Sequence, residues 1–392
     1  MSDADPLLPR LAAELDDLRE RSLLRTLDVT HGVNLISNDY LGLAEDPRLK
    51  AKVVEAVVAA SHVGSTGSRL LSGNSAEWVD LESEFAQFAR TEAALYFGSG
   101  YAANVGLLSA ILRRGDVVFS DALNHASLID GMRLSRATKV IYPHLDLAFL
   151  EKALDSHRSA GGARVIITES VFSMEGDVAP LADILRLARR YRAAVVVDEA
   201  HATGALGPQG RGIAAALGIE GDMLAVVHTC GKALAGAGAF VCGSHTMKDF
   251  LINRARSFIF STAMPPYLAC QIRGALQFAR DAEDQRIHLR EIAEMLRAEL
   301  SAAGISVGAS TTHIIPVILG TEDAALAMAA ALREEGFAGR AIRPPTVPPG
   351  TSRIRLSLTA RILRYDISRL ARAIVRAHES VRELSSSPSV HA

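Results

Sequence analysis

A lysine at the end of an apolar run is the first residue whose setting suggests chemistry. Val226 and Val227 lead into a short polar segment that ends at Lys232. Beside a buried strand, a lysine ammonium, with an ordinary pKa of roughly 10.4, must be paired, exposed or neutralised. A desolvated amine loses its proton and becomes a nucleophile towards carbonyl carbon atoms. Lys232 is therefore either a charge that reaches solvent or a reactive amine.

Other polar side chains follow other apolar runs. Asp198 ends the run 194–197 and precedes His201 by three residues, while His125 and Ser173 follow two earlier runs. A buried carboxylate needs a cation or a hydrogen-bond donor. Asp198 is therefore either a helix cap or part of an ion pair, or else an acceptor that keeps a ring nitrogen protonated. His125 is either a structural histidine or a ring that stacks on a planar ligand.

The segment Gly98-Ser99-Gly100-Tyr101 joins an apolar run to a helical pattern. Glycine before a helix N-terminus exposes backbone N–H groups at the positive end of the helix dipole, which suits a phosphate group. A tight turn without a ligand fits the same residues. The segment is neither the lysine-bearing P-loop nor the three-glycine dinucleotide fingerprint.

The runs that carry these residues predict a mainly parallel sheet. Several consist of Val, Ile and Ala without polar alternation, as expected for strands buried on both faces, and helical patterns separate them. The sequence thus predicts an α/β fold with helices on both faces of a seven-stranded sheet, and ligands in such sheets bind at the carboxyl ends of the strands. The predicted strands are Ala93–Phe97, Val117–Ser120, Lys139–Tyr142, Arg164–Thr168, Ala194–Asp198, Leu224–His228 and Ala239–Cys242.

The two ends of the chain have a different pattern. An amphipathic helix is predicted over 7–25, and the helix and strand patterns after Pro266 predict a smaller α+β unit. We therefore divide the chain into an N-terminal helix and arm (1–43), a large α/β domain (44–278) and a small C-terminal α+β domain (279–392).

Composition excludes several functional classes. The net charge of the 392-residue chain is −2, which gives no electrostatic reason to bind nucleic acid or an anionic membrane. No apolar run approaches the roughly 18–20 residues of a membrane span, and the acidic N-terminus is unlike a secretory signal. Cys230, Cys242 and Cys270 lack metal-ligand spacing. They are typical of reduced thiols in a cytoplasmic protein without a metal.

Together these groups match what pyridoxal 5'-phosphate requires of a protein. They supply a phosphate cradle, a stacking imidazole, a carboxylate for the pyridine nitrogen and a lysine that forms an imine, while the cofactor supplies the electron sink. A nicotinamide dehydrogenase is disfavoured because no G-x-G-x-x-G turn follows a strand. An inactive binding protein is disfavoured because every group that the cofactor needs is present.

At these residues the chain resembles the α-oxoamine synthases, pyridoxal-phosphate enzymes of the aspartate-aminotransferase fold type. The resemblance runs from about Leu15 to the end of the last predicted helix. It is carried by the motifs SNDYLGL, TGSRLLSGN, SGYAAN, NHASL, ESVFSMEGD, VDEAHATG, TCGK, STAMPP and AIRPPTVPPGTSRIRLSLT.

The resemblance implies a role for individual residues around the cofactor. Lys232 would form the imine, Asp198 would bind the pyridine nitrogen, His201 would contact the phenolic oxygen and His125 would stack on the ring. The remaining cofactor-binding positions would be Gly100, Tyr101, Ser173, Thr229 and Thr262, with Thr262 reaching the phosphate of the neighbouring subunit in a homodimer.

The resemblance also implies the substrates. Asn38 and Arg355 correspond to ligands of the amino-acid carboxylate, with His125 beside them. Arg25, Arg343 and Thr346 correspond to positions around the acyl group, and these arginines favour an acyl chain that ends in a carboxylate. The implied reaction is the decarboxylative condensation of L-alanine with a pimeloyl thioester of coenzyme A or of an acyl carrier protein, as in biotin biosynthesis. Glycine C-acetyltransferase, or another synthase with a different amino acid and acyl chain, is the alternative.

Overall fold

The seven strands of the central sheet run from residue 93 to residue 243. Their order across the sheet is β2-β8-β7-β6-β5-β3-β4, and only β8 is antiparallel to its neighbours. The predicted seven-stranded, mainly parallel sheet is therefore confirmed. The computed structural model describes residues 7–386, with side chains up to residue 380. Its strands are β1 (Val33–Asn34), β2 (Ala93–Phe97), β3 (Val117–Asp121), β4 (Thr138–Tyr142), β5 (Arg164–Glu169), β6 (Ala194–Asp198), β7 (Ala225–Thr229), β8 (Ala239–Gly243), β9 (Ile314–Gly320), β10 (Phe337–Ala338), β11 (Ala341–Ile342) and β12 (Ser352–Ser357).

Helices cover both faces of the central sheet. Side chains alternate along each strand, so Val118 and Ile167 pack into one hydrophobic cluster, while Val117 and Ile166 pack into another on the opposite face. This double burial explains the continuous apolar runs. The helices are α1 (Leu7–Glu20), α2 (Pro47–Ala59), α3 (Ala76–Ala89), α4 (Gly100–Ile111), α5 (Ala126–Leu134), α6 (Leu147–Ser156), α7 (Leu181–Tyr191), α8 (Ile213–Ala216), α9 (His245–Arg254), α10 (Arg256–Ile259), α11 (Pro266–Asp281), α12 (Glu283–Ala302), α13 (Glu322–Glu334) and α14 (Arg364–Ser386). Within the described residues, no helix is long and apolar enough to cross a bilayer.

The C-terminal part contains a second, smaller sheet. Its strands lie in the order β11-β12-β9, all antiparallel. The short strand β1 of the N-terminal arm pairs with β10 in parallel, so the arm is tied to the C-terminal part of the chain. The predicted domain boundaries at 43 and 278 stay predictions. Residues 1–6, with the acidic N-terminus, and residues 387–392 lie outside the described residues.

The N-terminal helix is shorter than the sequence predicts. It ends at Glu20 rather than at residue 25, and the chain turns at Ser22, whose φ of 54° is left-handed. The N–H groups of Leu23 and Leu24 both donate to the carbonyl of Leu18, which closes the turn. The prediction was wrong here because Leu23 and Leu24 continue the apolar spacing after the backbone has left the helix.

A histidine between two carboxylates joins the loops at the carboxyl edge of the central sheet. His144 Nδ1 lies 2.9 Å from Asp121 Oδ1, and its Nε2 lies 2.9 Å from Asp177 Oδ2. Burial lowers the pKa of His144, but the hydrogen bonds to Asp121 and Asp177 outweigh burial and raise it to about 10. The imidazolium therefore carries its charge at neutral pH and holds the loop after β4 against the loop after β5.

We expect His144→Gln to destabilise the protein in a pH-dependent way. The folded-state pKa lies above the unfolded value of about 6.5, so the stabilisation is complete below about pH 6.5 and disappears as the pH rises through about 10. Two charge-assisted hydrogen bonds predict a loss of about 3 kcal/mol at low pH. Urea unfolding of wild type and variant across this range measures the difference. His157→Gln, which removes a ring bonded to a backbone carbonyl, is the control, and a loss for His144→Gln that does not vary with pH would contradict the ionic clamp.

Candidate active site

Lys232 lies in a loop between β7 and β8 that backbone hydrogen bonds hold closed. The N–H of Cys230 donates to the carbonyl of Gly238 at 2.8 Å, and the N–H of Gly236 donates to the carbonyl of Cys230 at 2.9 Å. Gly238 has a φ of +83°, and a Cβ atom there would lie 2.1 Å from the hydroxyl of Tyr96. Glycine is therefore required where the chain turns back into β8, and the turn fixes the lysine at the carboxyl end of β7.

The Lys232 amine points into the protein. Its Nζ lies 2.7 Å from Nε2 of His201. Burial lowers the pKa of Lys232 to about 8, although the nearby Asp198 and Glu169 pull it upward. A shift of this size increases the neutral fraction at pH 7 on the order of a hundredfold over an ordinary lysine. Of the two readings of Lys232, the structure thus favours the reactive amine.

Asp198 is a buried carboxylate with donors on both oxygens. Oδ1 accepts from the N–H of Ala200 at 2.8 Å, and Oδ2 accepts from Nδ2 of Asn104 at 2.7 Å. These two bonds hold the carboxylate in one orientation. Asn104, in the first turns of α4, also donates to Ser127 at 2.9 Å. Asn104 is not among the predicted site residues; the only signal in the sequence is its place in the SGYAAN motif.

Glu169 is a second carboxylate at the same sheet edge. It is paired in register with Asp198 on the neighbouring parallel strand, and parallel in-register side chains project to the same face. Glu169 is buried, and its Oε1 has no hydrogen-bond partner within the described part of the chain. Burial, followed by the charge of Asp198, raises the pKa of Glu169 well above its usual value. Glu169 is not among the predicted site residues, and it ends β5 one position beyond the predicted strand.

The predicted phosphate cradle forms the N-terminus of α4. Ser99 caps the helix by accepting from the N–H of Ala102 at 3.0 Å, and the first turn leaves further N–H groups without intrahelical acceptors. A Cβ atom on Gly100 would come within 3.4 Å of Thr229 Oγ1, so glycine keeps the space between the two residues open. Tyr101 is exposed, and its hydroxyl donates to Asp130.

His125 caps the next helix, α5. Its Nδ1 lies 2.7 Å from Ser127 Oγ and 3.2 Å from the backbone N–H of Ser127, and the residue is exposed. The ring is therefore held at one nitrogen while the residue remains accessible. That placement suits the predicted stacking on a planar ligand.

These residues fit pyridoxal phosphate. The carboxyl ends of β3, β5, β6 and β7 bring His125, Asp198 and Lys232 to one edge of the sheet. Because antiparallel β8 separates β2 from β7, the carboxyl end of β2, which carries the Gly100 cradle, faces the same edge. The open space at Gly100 would hold the phosphate, Asp198 would bind the ring nitrogen and Lys232 would bind the aldehyde carbon.

A guanidinium from the C-terminal part of the chain reaches this edge. Arg355 is buried on β12, its Nη1 donates to Asn38 Oδ1 at 3.1 Å, and its Nε donates to the carbonyl of Ser173. The structure thus brings together three predicted site residues that are far apart in sequence. Ser173 contributes its backbone carbonyl to this contact.

The three residues predicted around the acyl group line one cavity of about 560 Å³ between the N-terminal arm and the C-terminal part. Arg25 Nη2 donates to Thr346 Oγ1 at 3.2 Å, and Arg343 donates to the carbonyls of Ser22 and Leu24. Burial, followed by the charge of Arg25, lowers the pKa of Arg343. The cavity therefore places two guanidinium groups close to each other.

Thr262 lies in the segment between α10 and α11. It is exposed, and it forms an isolated antiparallel bridge with Ser68. Its predicted contact with a partner's cofactor stays a prediction. Among the residues that the structure describes, no group of three or more His, Cys, Asp or Glu side chains could hold a metal ion.

Comparison with known sequences gives long matches. The family model described as aminotransferase class I and II matches residues 30–374. An 8-amino-7-oxononanoate synthase from Geobacter sulfurreducens is 45% identical over 381 residues, which cover 93% of this chain and 97% of that protein. A protein of the same name from Aromatoleum aromaticum is 43% identical over 383 residues, which cover 94% of this chain and 98% of that protein.

Solved structures agree with these matches. A serine palmitoyltransferase from S. paucimobilis with bound PLP and myriocin superimposes with a TM-score of 0.89 at 29% identity, covering 97% of this chain and all of that one (100%). An 8-amino-7-oxononanoate synthase from Francisella tularensis superimposes with a TM-score of 0.78 at 28% identity, covering 90% of this chain and 99% of that one.

We expect Glu169 to be a neutral carboxylic acid at pH 7, because burial, followed by the nearby Asp198, raises its pKa well above the usual value. Infrared difference spectra between wild type and Glu169→Gln should contain the carbonyl stretch of a protonated carboxylic acid. Glu175→Gln, which removes a carboxylate bonded to Arg353, is the comparison variant. A carboxylate band in place of the acid band for Glu169 would show that the proton is absent.

Proposed function

Because the chain belongs to the aminotransferase class I and II family, in its 8-amino-7-oxononanoate synthase branch, we propose that it joins L-alanine to a pimeloyl thioester with loss of carbon dioxide. It is a pyridoxal-phosphate-dependent C-acyltransferase of biotin biosynthesis. The observation that carries the chemistry is the placement of Lys232, His201 and Asp198 at one sheet edge beside the Gly100 cradle.

The proposed substrates follow from the product that appears in the names of the relatives. 8-Amino-7-oxononanoate has a nine-carbon chain with a ketone at carbon 7 and an amino group at carbon 8. A pimeloyl group supplies the first seven carbons, including the ketone carbon. Alanine supplies the last two carbons and the nitrogen once its carboxyl group has left as carbon dioxide. The thiol of the thioester is the other leaving group.

Lys232 is the proposed proton carrier. Pyridoxal phosphate, when bound, supplies the electron sink that stabilises a carbanion at the amino-acid Cα. Lys232 Nζ accepts the α-proton and returns a proton after carbon dioxide has left, a role that suits an amine with a pKa of about 8. Asp198, which is held by Asn104 and Ala200, would accept the N–H of the pyridine ring and so keep that nitrogen protonated.

Arg355 and Asn38 are the proposed ligands of the amino-acid carboxylate. A buried guanidinium matches a carboxylate in charge and in the spacing of its N–H groups. The contacts with Asn38 and Ser173 hold it in position before the substrate arrives, so little conformational entropy is lost when the substrate binds.

Arg25 and Arg343 are the proposed partners of the distal pimeloyl carboxylate. They share one cavity, and Glu322 is the acidic group that acts on Arg343. An anion that entered the cavity would relieve the repulsion between the guanidinium groups. Ile36, two residues before Asn38, also lines the cavity, which connects the proposed acyl site to the proposed amino-acid site.

We also propose that the protein forms a homodimer and works in the cytoplasm. Val63, Leu70, Leu71 and Phe260 are large apolar side chains exposed around the bridge that contains Thr262. A second copy of the chain would bury this patch and bring Thr262 to the partner's cofactor. All three cysteines are free thiols, and two of them are buried, as is usual for a reducing compartment.

The proposed reaction predicts one productive pair in a matrix of amino acids and acyl thioesters. Release of free thiol should be fastest with L-alanine and a pimeloyl thioester, and comparison of coenzyme A with carrier-protein thioesters identifies the donor. Lys232→Ala should lose both turnover and the visible absorbance of bound pyridoxal phosphate. Higher activity with glycine and an acetyl thioester would assign the alternative reaction, and a turnover that survives in Lys232→Ala would contradict the role of the lysine.

The acyl site predicts that Arg343→Ala removes the preference for a diacid chain. We expect KM for a pimeloyl thioester to rise about tenfold or more, as expected for loss of a charge-assisted hydrogen bond, while KM for alanine changes little. Heptanoyl thioester, which has the same length but no distal carboxylate, is the matched substrate and should be almost insensitive to the substitution. Equal losses for both thioesters would mean that Arg343 only anchors the arm through Ser22 and Leu24.

A further inference from the structure

A chain of buried hydrogen bonds leads away from Lys232 to a residue with no assigned role. His201 bonds to Lys232 through Nε2, and its Nδ1 lies 2.5 Å from the hydroxyl of Tyr40. The same hydroxyl lies 3.1 Å from Asn38 Oδ1. Tyr40 is fully buried and His201 is 5% exposed. Tyr40 therefore stands between the reactive lysine and the proposed carboxylate ligands Asn38 and Arg355.

The position of the Tyr40 hydroxyl is fixed by the surrounding structure. The carbonyl of Tyr40 accepts from the N–H of Ala360 at 2.8 Å, and its ring makes an edge contact with the ring of His313 at a centroid distance of 4.0 Å. The hydroxyl lies within hydrogen-bond distance of two acceptors, Nδ1 of His201 and Oδ1 of Asn38. Arg355 also contacts this hydroxyl but can only donate to it.

The Tyr40 hydroxyl has one proton, and His201 is a better acceptor for it than Asn38. Asn38 Oδ1 already accepts from Arg355 Nη1 at 3.1 Å and from Ser357 Oγ at 3.2 Å, which occupies both of its lone pairs. The contact with His201 is also the shorter of the two. Burial raises the pKa of the Tyr40 phenol, so the hydroxyl keeps its proton and remains a donor.

His201 carries one ring proton. Burial, followed by the charges of Lys232 and Arg355, holds the pKa of its imidazolium well below the usual value. The groups that act on this ring are Lys232, Arg355, His313 and His125. A neutral imidazole protonated at Nε2 is a donor towards Lys232, whereas one protonated at Nδ1 is an acceptor towards it.

We propose that Tyr40 is a positioning residue that donates its hydroxyl proton to Nδ1 of His201 and so holds the ring proton on Nε2, facing the reacting side of the site. With Lys232 neutral, Nε2–H donates to the lone pair of Nζ at the observed 2.7 Å. The charged form of Lys232 needs the opposite tautomer, so Tyr40 disfavours the ammonium. This inference rests on the placement of Lys232 and His201 in the proposed function, but not on the identity of the substrates.

The tautomer can be measured in the unloaded wild-type protein. In ¹⁵N-histidine-labelled protein at about pH 9, above the pKa of Lys232, the His201 signals are identified among the twelve histidines by their loss in His201→Asn. We expect Nε2 to carry the proton and Nδ1 to have the shift of an unprotonated, hydrogen-bonded nitrogen. A proton on Nδ1 overturns the proposal, and this measurement requires neither turnover nor a Tyr40 variant.

A substitution tests the consequence for the lysine. Tyr40→Phe should raise the pKa of Lys232 by about one unit, which lowers its reactivity at pH 7 roughly tenfold, because the ring proton is no longer held on Nε2. Competitive acetylation of the unloaded protein across pH, with mass spectrometry of the Lys232 peptide, measures this pKa. The other groups that act on Lys232, namely Asp198, Glu169 and Arg355, are unchanged in this variant.

Tyr142→Phe is the matched control, because it removes a buried hydroxyl from the edge strand β4. The Lys232 pKa should be unchanged in this variant. An unchanged Lys232 pKa in Tyr40→Phe, in protein whose circular dichroism matches wild type, overturns the proposal. A failure of the condensation reaction with alanine and pimeloyl thioester would leave both measurements intact, so the two proposals fail separately.

Discussion

The desolvation of a lysine at the carboxyl edge of a parallel sheet is the constraint on which the site depends. An amine taken out of water loses much of its tendency to be charged unless carboxylates compensate. Here Asp198 and Glu169 lie on successive neighbouring strands, yet burial prevails and the Lys232 pKa is held near 8. Asp198 receives donors from Asn104 and Ala200, whereas Oε1 of Glu169 has no hydrogen-bond partner among the described residues, and burial raises the pKa of Glu169 well above its usual value. The two carboxylates thus differ in their hydrogen-bond partners.

The C-terminal part of the chain completes this edge through the loop after β5. Arg353 Nη1 lies 2.9 Å from Glu175, and Thr312 Oγ1 donates to the carbonyl of Gly176 at 2.8 Å. Gly176 has a φ of +70°, and a Cβ atom there would lie 1.9 Å from the carbonyl oxygen of Ile314. The loop is therefore held against β9 and β12, which carries Arg355. A substrate carboxylate bound by Arg355 would contact both parts of the chain at once.

The sequence predicted those parts of the fold that repeat a local pattern. The predicted bounds of all seven strands of the central sheet agree with the structure within about one residue at each end. Several of these strands were marked by apolar runs without polar alternation, because burial on both faces leaves no room for polar side chains, whereas edge strand β4 is largely exposed. Polar residues at or shortly after the strand ends, such as Asp198 and Lys232, could be assigned because ligands in such sheets bind at the carboxyl ends of the strands. Tyr40 and Asn104 could not, since their roles come from contacts across 161 and 94 residues of sequence. The left-handed turn at Ser22 was missed because apolar spacing does not report backbone conformation.

Charged side chains are partnered differently at the N-terminal arm and at the carboxyl edge of the central sheet. At the sheet edge, each buried charge faces a partner within the protein, so the site is organised before any ligand binds. In the cavity of Arg25 and Arg343, like charges are brought together by the arm itself, since Arg343 donates to the carbonyls of Ser22 and Leu24. Holding the arm in place therefore works against the repulsion between the guanidinium groups. An anionic acyl chain would remove that cost, so its binding and the ordering of the arm are thermodynamically coupled, and each must strengthen the other.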